Sequence, residues 1–117
     1  MEPTIRTGLI MQIGFIVTKT PTEEGFQTFL EFLKFYQGKE DIHVYLVGSG
    51  VFCAKQGHQQ SHKIHMILEN GVLYAMEEDL IARGISPEQT FSGTKIISGY
   101  PELVHEIMEK MDQVMSF

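Results

Sequence analysis

The feature of this sequence that most constrains its fold is the regular alternation of short strand-like runs with helix-like segments. The strand-like runs are rich in β-branched and other apolar residues, which is typical of strands buried on both faces of a sheet. Because helix-length connections separate these runs, the pattern predicts an α/β fold with a parallel five-stranded sheet covered by helices on both faces. The predicted strands are Ile10–Thr18, Asp41–Val47, Val72–Ala75, Thr94–Ser98 and Val114–Phe117.

Four helices are predicted between these strands. The first contains GFQTFLEFLKFY and ends at Gly38, and the others lie at Gln59–Glu69, at Glu77–Ala82 and from Pro101 onward. Apolar residues at helical spacing predict a buried stripe on the first and on the last helix. The stripe residues are Phe26, Phe29, Leu30 and Leu33 in the first helix, and Leu103, Val104, Ile107, Met108 and Met111 in the last.

The first helix carries more aromatic rings than one packing face can hold. Phe32, Phe35 and Tyr36 accompany the rings of the stripe, and at roughly 100° per residue they cover a second face of the helix. Large exposed apolar patches usually mark interfaces. The sequence therefore predicts a homo- or hetero-oligomer rather than a monomer.

Length and charge limit the classes of function. A chain of 117 residues suits one compact domain, so residues 1–117 are expected to form it, with residues 1–8 as a flexible N-terminal extension. The net charge of −6 disfavours direct binding of nucleic acid. A single cysteine cannot form an internal disulfide, and the start of the chain lacks the features of a signal peptide. No run approaches about 20 apolar residues, so we expect a cytoplasmic protein without a membrane span.

Functional residues of parallel sheets usually lie in the loops that follow the carboxyl ends of the strands. In this chain those loops are predicted at Lys19 to Glu24, Gly48 to Gly57, Met76 to Asp79, and Gly99 to Glu102. The second of them contains the only cysteine, Cys53. A cysteine near the start of a helix can be activated as a thiolate by the helix dipole. The alternative is that Cys53 is a small buried hydrophobic residue, which is common for free cysteines.

Two further patterns follow the second predicted strand. His58, His62 and His65 have the spacing of one helix side, and a histidine pair at i, i+4 can hold zinc or nickel. The alternative is a polar helix edge without a metal. Gly48-Ser49-Gly50 matches neither a dinucleotide fingerprint nor a phosphate-binding loop, so a tight turn is the simpler interpretation. No cofactor is predicted.

Three segments in order resemble the DsrE/DsrF/DsrH-like family, which includes the small sulfur-relay proteins of the TusD type. They are VYLVGSGVFCAKQG at the end of the second strand, LYAMEEDLIARGI after the third, and ELVHEIMEKMDQVMSF at the end of the chain. The likeness extends from about Ile10 to Phe117. Its most specific parts are the Gly48 to Val51 turn, the Ala82-Arg83-Gly84-Ile85 segment and the final Ser-Phe.

The resemblance implies an α/β/α sandwich with a parallel five-stranded sheet and assembly into oligomers. It also implies that active members carry a persulfide on a cysteine at the end of the third strand and pass this sulfur to a partner protein. In this chain that position is Met76. A thioether cannot form a persulfide, and Glu77, Glu78 and Asp79 make the loop unfavourable for a thiolate nearby.

Three hypotheses of function follow. The first is a protein linked to intracellular sulfur transfer that acts as a partner-binding or assembly subunit, with Cys53 as the only candidate sulfur acceptor. The second is a module that binds a small molecule in a cleft at the strand ends, and the third is a metal-binding oligomer built on the histidine edge. The residues predicted to line the cleft are Gly48, Gly50, Cys53, Tyr74, Met76 and Arg83.

Overall fold

A computed structural model of the chain describes residues 10–117. The predicted extension at residues 1–8 lies outside this range. The strands are β1 (Gln12–Val17), β2 (Asp41–Leu46), β3 (Gly71–Met76), β4 (Lys95–Ile97) and β5 (Gln113–Ser116). The α-helices are α1 (Glu24–Tyr36), α2 (Ser61–Asn70), α3 (Glu77–Ala82) and α4 (Tyr100–Lys110), and two 3₁₀ helices cover Gly48–Ala54 and Pro87–Gln89.

The five strands form one sheet in the order β4-β3-β2-β1-β5, and every neighbouring pair is parallel. This confirms the predicted α/β fold with a parallel five-stranded sheet. The apolar strands β1, β2 and β3 occupy the centre, as expected for strands buried on both faces. The shorter strands β4 and β5 form the two edges.

The two faces of the sheet carry different helices. Because side chains alternate along a strand, Leu73 and Ala75 of β3 point to one face while Tyr74 and Met76 point to the other. The first face packs against α1, α2 and α3, and Leu80 is the buried residue of α3. The second face packs against α4 through Leu103. In the part of the chain that the structure describes, the sandwich is therefore uneven, with three α-helices on the first face and one on the second.

The boundaries of most elements differ from the predicted ones by a residue or two. The junction of α2 and β3 has no loop between the two elements. Gly71 caps the end of α2, because its backbone N–H donates to the carbonyl oxygen of Ile67, and in an extended conformation with φ −158° it also begins β3. A Cβ at this position would lie 2.7 Å from the carbonyl oxygen of Ile42 on β2, so close contact between strands requires the glycine.

The predicted stripe of α4 is only partly buried. Leu103 is buried and Ile107 and Met111 are half-buried, but Val104 and Met108 are exposed. The prediction was wrong for these two side chains because α4 is the only helix that residues 10–117 place on the second face. With no helix beside it among residues 10–117, one side of its apolar surface remains open to solvent. The helices in this range are all too short or too polar to cross a membrane.

Candidate functional site

The candidate site lies at the carboxyl end of β3, next to β4. The chain leaves β3 into α3 on the first face, whereas it leaves β4 toward α4 on the second face. Adjacent strands whose connections run to opposite faces create the crevice in which ligands bind in many α/β proteins. Met76, the last residue of β3, is paired with Ile97 of β4 at this point.

This crevice is filled by side chains. Met76 is 1% exposed and packs with Tyr45, Ile97 and Leu103. The predicted open cleft at Met76 is therefore wrong for the isolated chain. The sequence indicated a residue just beyond the strand, but β3 extends through position 76 and its last side chain points under α4.

Three carboxylates at the start of α3 close the crevice at the carboxyl ends of the strands. The Oε1 atom of Glu77 accepts a hydrogen bond from the hydroxyl of Ser98 at 2.8 Å, and that of Glu78 accepts one from the backbone N–H of Gly99 at 3.2 Å. The Oδ2 atom of Asp79 accepts from the hydroxyl of Tyr100 at 2.9 Å. We call these contacts between the start of α3 and Ser98–Tyr100 the acidic clasp.

Asp79 also fixes the loop after β2. Its Oδ2 atom accepts a hydrogen bond from the backbone N–H of Gly48 at 2.8 Å. Arg83, predicted to line the cleft, donates to the backbone carbonyl of Asp79 at 3.2 Å and lies 3.6 Å from its carboxylate. The carboxylates that follow Met76 are thus used to join three segments. Because their hydrogen-bond partners are far away in sequence, periodicity gave no signal for the clasp.

The two glycines of the turn after β2 have separate steric roles. Gly48 has φ +54°, a left-handed conformation that suits glycine best. Gly50 is buried, and a Cβ on it would overlap the carbonyl oxygen of Val17 and lie 2.8 Å from its carbonyl carbon. The tight-turn interpretation accounts for both residues, and a ligand is not needed to explain them.

Cys53 is fully buried in the cluster on the first face. Its Sγ atom donates to the carbonyl oxygen of Lys19 at 3.3 Å. Burial raises the pKa of the thiol to about 12, and the charge of Glu23 contributes in the same direction. The residue lies inside the 3₁₀ helix Gly48–Ala54 rather than at the start of α2. The structure therefore contradicts activation by a helix dipole and matches the alternative of a small buried hydrophobic residue.

Two of the three histidines of the predicted edge, His58 and His65, contact neighbouring groups. The Nδ1 atom of His58 accepts from the backbone N–H of Gln60 at 3.0 Å, so its Nε2 atom donates to the carbonyl oxygen of Cys53 at 3.0 Å. His58 and His65 contact the ring of Phe91 edge-on, with centroids 6.0 and 5.0 Å away. His62 is exposed. Within residues 10–117, no three His, Cys, Asp or Glu side chains are arranged to hold a metal ion.

Tyr74 lies on the second face, away from Cys53, so the residues predicted to share one cleft are divided between two faces of the sheet. Its ring stacks on Tyr45 with centroids 4.5 Å apart, and its hydroxyl lies 3.2 Å from Nδ1 of His43. Burial lowers the pKa of His43 and raises that of Tyr74. His43 and Tyr45 occupy alternate positions of β2, and Tyr74 lies on the adjacent strand β3. This pattern could have predicted the cluster, but the sequence analysis missed it.

An open depression lies outside the crevice, between the loop after β1 and the start of α2. Its cavity volume is about 460 Å³. The lining residues are Pro21, Thr22, Gln27, Gly57, His58, Gln59 and Gln60. Neither Cys53 nor Met76 belongs to this lining, so the depression gives no access to either sulfur atom.

Comparisons with known proteins found a matching family model and solved structures with the same fold. A family model described as "DsrH like protein" matches residues 19–113. A protein of unknown function from Methanobacterium thermoautotrophicum superimposes with a TM-score of 0.79 at 14% identity, covering 92% of this chain and 99% of its own. The ychN protein from E. coli gives a TM-score of 0.76 at 19% identity, covering 92% of this chain and all of its own. No curated protein matches the sequence significantly.

Proposed function

Because the chain belongs to the DsrH-like family, we propose that it is a partner-binding or assembly subunit linked to intracellular sulfur transfer, rather than a sulfur carrier. Membership confirms the resemblance found in the sequence and makes a sulfur-relay role plausible. The proposed compartment is the cytoplasm.

The observation that carries this proposal is the presence of a buried methionine at position 76. The resemblance implies a carrier cysteine at the end of the third strand, where this chain has Met76. A thioether sulfur has no proton to lose and does not accept sulfur as a thiolate does. The side chain is buried under α4, and the acidic clasp holds the loops above it together. Neither the nucleophile nor its access route is present.

The only thiol in the chain does not replace the missing carrier. Sulfur transfer between proteins requires a thiolate that meets the sulfur atom of a donor persulfide. Cys53 is buried and its thiol is held protonated by its surroundings. A role for Cys53 as acceptor would require the loops around it to open.

Partner binding is supported by the exposed side of α4. Tyr100, Val104 and Met108 follow one another at i, i+4 spacing and are exposed, with Met108 at 74%. Glu102 and Glu109 are exposed on the same helix. An exposed apolar stripe favours a partner surface that is apolar at its centre, and acidic residues elsewhere on the helix favour basic residues at its rim. We call this stripe the α4 surface.

The proposal predicts a complex with a carrier of the same family. The chain should copurify at fixed stoichiometry with a family member from the same genome that has a cysteine at the end of its third strand. A Val104→Glu/Met108→Glu double variant should weaken this complex at least tenfold, because it places carboxylates in an apolar contact. Isothermal titration calorimetry measures the change.

Ile81→Glu is the matched control for that experiment. Ile81 is 70% exposed and belongs to α3 on the first face, so its replacement should leave the complex intact. The proposal fails if no such carrier binds. If the carrier bound the double variant and the wild-type chain with equal affinity, the α4 surface would not be its binding site.

A further inference from the structure

We infer that a second copy of this chain docks on the surface formed by β5 and the outer side of α1, with the two β5 strands paired antiparallel. This inference does not depend on any role in sulfur transfer. It arises from two features of residues 10–117 that lie side by side and that a single occupant would cover.

The first feature is an edge strand without the usual protection. β5 pairs with β1 on one side, and its other side has no strand in the described part of the chain. Natural edge strands are commonly blocked by lysine, proline or very short length. The opposite edge carries such a residue, since β4 begins with Lys95. β5 reads Gln-Val-Met-Ser and contains no charge and no proline. Its open backbone groups are suited to a further strand.

The second feature is a group of exposed rings on α1. Phe35 is 62% exposed and Phe32 is 45% exposed. The ring of Phe32 packs on Phe117, which follows β5 directly, with centroids 5.4 Å apart. Phe117 in turn contacts Phe29 and Phe15 of the core. The exposed rings and the open strand edge therefore form one continuous surface.

A two-fold axis that passes through the sheet beside β5 satisfies both features. Such an axis makes the two β5 strands antiparallel and keeps the first faces of both sheets on the same side. The α1 helices then become antiparallel neighbours, and Phe32 and Phe35 of each copy meet those of the other. An extended peptide from another protein would cover the strand edge but would leave these rings exposed.

Charge also favours a second copy at this surface. The chain as a whole has a net charge of −6, which opposes self-association. The exposed charges at the end of α1 are Glu31, Lys34 and Lys39, and the Nζ atom of Lys39 lies 4.6 Å from the centre of the Phe35 ring. In an antiparallel pair of helices, the glutamate of one copy lies toward the lysines of the other.

A stable contact needs both elements. A stable interface buries about 800 Å² per partner. Four residues of β5 supply backbone hydrogen bonds and little apolar area, whereas the rings of α1 supply apolar area at the centre of the contact. Loss of either element should therefore abolish the dimer.

The test is the mass of the isolated chain by light scattering over a dilution series. We expect the mass of two chains at high concentration and dissociation on dilution. Phe35→Glu and Val114→Lys should each shift the dissociation constant at least a hundredfold toward monomer, because each puts a charge into the contact. Ile81→Glu, on a comparably exposed apolar residue of α3, should have no effect.

Hydrogen exchange supplies the second readout, because it reports on β5 itself. Amides of Gln113–Phe117 should exchange more slowly in the dimer than in the diluted chain, and this difference should vanish in Phe35→Glu, which does not alter β5. Circular dichroism must show that each variant is folded. A monomer mass for the folded wild-type chain at every concentration would overturn the inference. A dimer that persists in both charged variants would overturn it equally.

Discussion

Gly50→Ala is expected to destabilise the fold by about 3 kcal/mol or more. The added methyl group would overlap the carbonyl oxygen of Val17 and lie 3.3 Å from Cα of Thr18. These neighbours are backbone atoms, and the Val17 carbonyl accepts a hydrogen bond from the N–H of Val47 at 3.1 Å. Neither a rotamer change nor a small shift relieves the overlap. Since native domains are stable by only about 5–15 kcal/mol, much of the total stability would be lost.

Gly48→Ala is the matched control for this prediction. Gly48 stands two residues earlier in the same turn, but a Cβ on it would have no neighbour within 4 Å. Only its left-handed backbone is strained by alanine, at a cost of about 1–2 kcal/mol. Urea unfolding followed by circular dichroism compares the two variants. Equal loss of stability in both variants would show that the overlap with Val17 is not the main cause of the destabilisation in Gly50→Ala.

The thiol of Cys53 is expected to react with iodoacetamide at least about a thousand times more slowly in the folded chain than in the unfolded chain. Burial and the charge of Glu23 raise its pKa from 9.0 to about 12. Three pKa units reduce the thiolate fraction at neutral pH by a factor of about 10³. Burial of Sγ slows the reaction further, so the fluctuations that open the fold should set the observed rate.

The same pKa shift gives stability a defined pH dependence. Below pH 9 the thiol is protonated in both the folded and the unfolded chain, so it contributes no pH dependence to the free energy of unfolding. Between pH 9 and about 12 the unfolded chain loses the proton while the folded chain retains it. Ionisation therefore favours unfolding over this range, and the wild-type chain should lose more stability there than Cys53→Ser.

An exposed thiol provides the reference rate for the labelling experiment. Ser92→Cys in a Cys53→Ser background places a cysteine at an exposed position of the folded chain. It should label at nearly the rate of the unfolded chain. The prediction fails if Cys53 in the native chain at pH 8 labels as fast as this exposed cysteine.

The central strands were the most predictable part of the fold. β1, β2 and β3 are nearly continuous apolar runs, and their place in the middle of the sheet follows from burial on both faces. The exposed half of α4 was not predictable in this way, because Val104 and Met108 have the same spacing as buried residues. Whether a helix has a neighbour on each side depends on the topology of the whole sheet.

The meeting of the loops at the strand ends was predictable, but the contacts between these loops were not. The loops at the carboxyl ends of β2, β3 and β4 do meet, through the contacts of Asp79 with Gly48 and Tyr100. No pattern in the sequence indicated that these contacts close the crevice, since they join residues far apart in the chain. Nor did it reveal that Met76 points under α4, because this depends on a one-residue extension of β3.

The measurement that tests the central claim most directly is the intact mass of the chain after incubation with a cysteine desulfurase and cysteine. A carrier would accept one sulfur atom from the desulfurase persulfide onto a thiolate. We predict no gain in mass for the folded wild-type chain, while a family member with the carrier cysteine gains one sulfur in the same mixture. A gain of one sulfur atom that disappears in Cys53→Ser would contradict the account and make Cys53 a carrier.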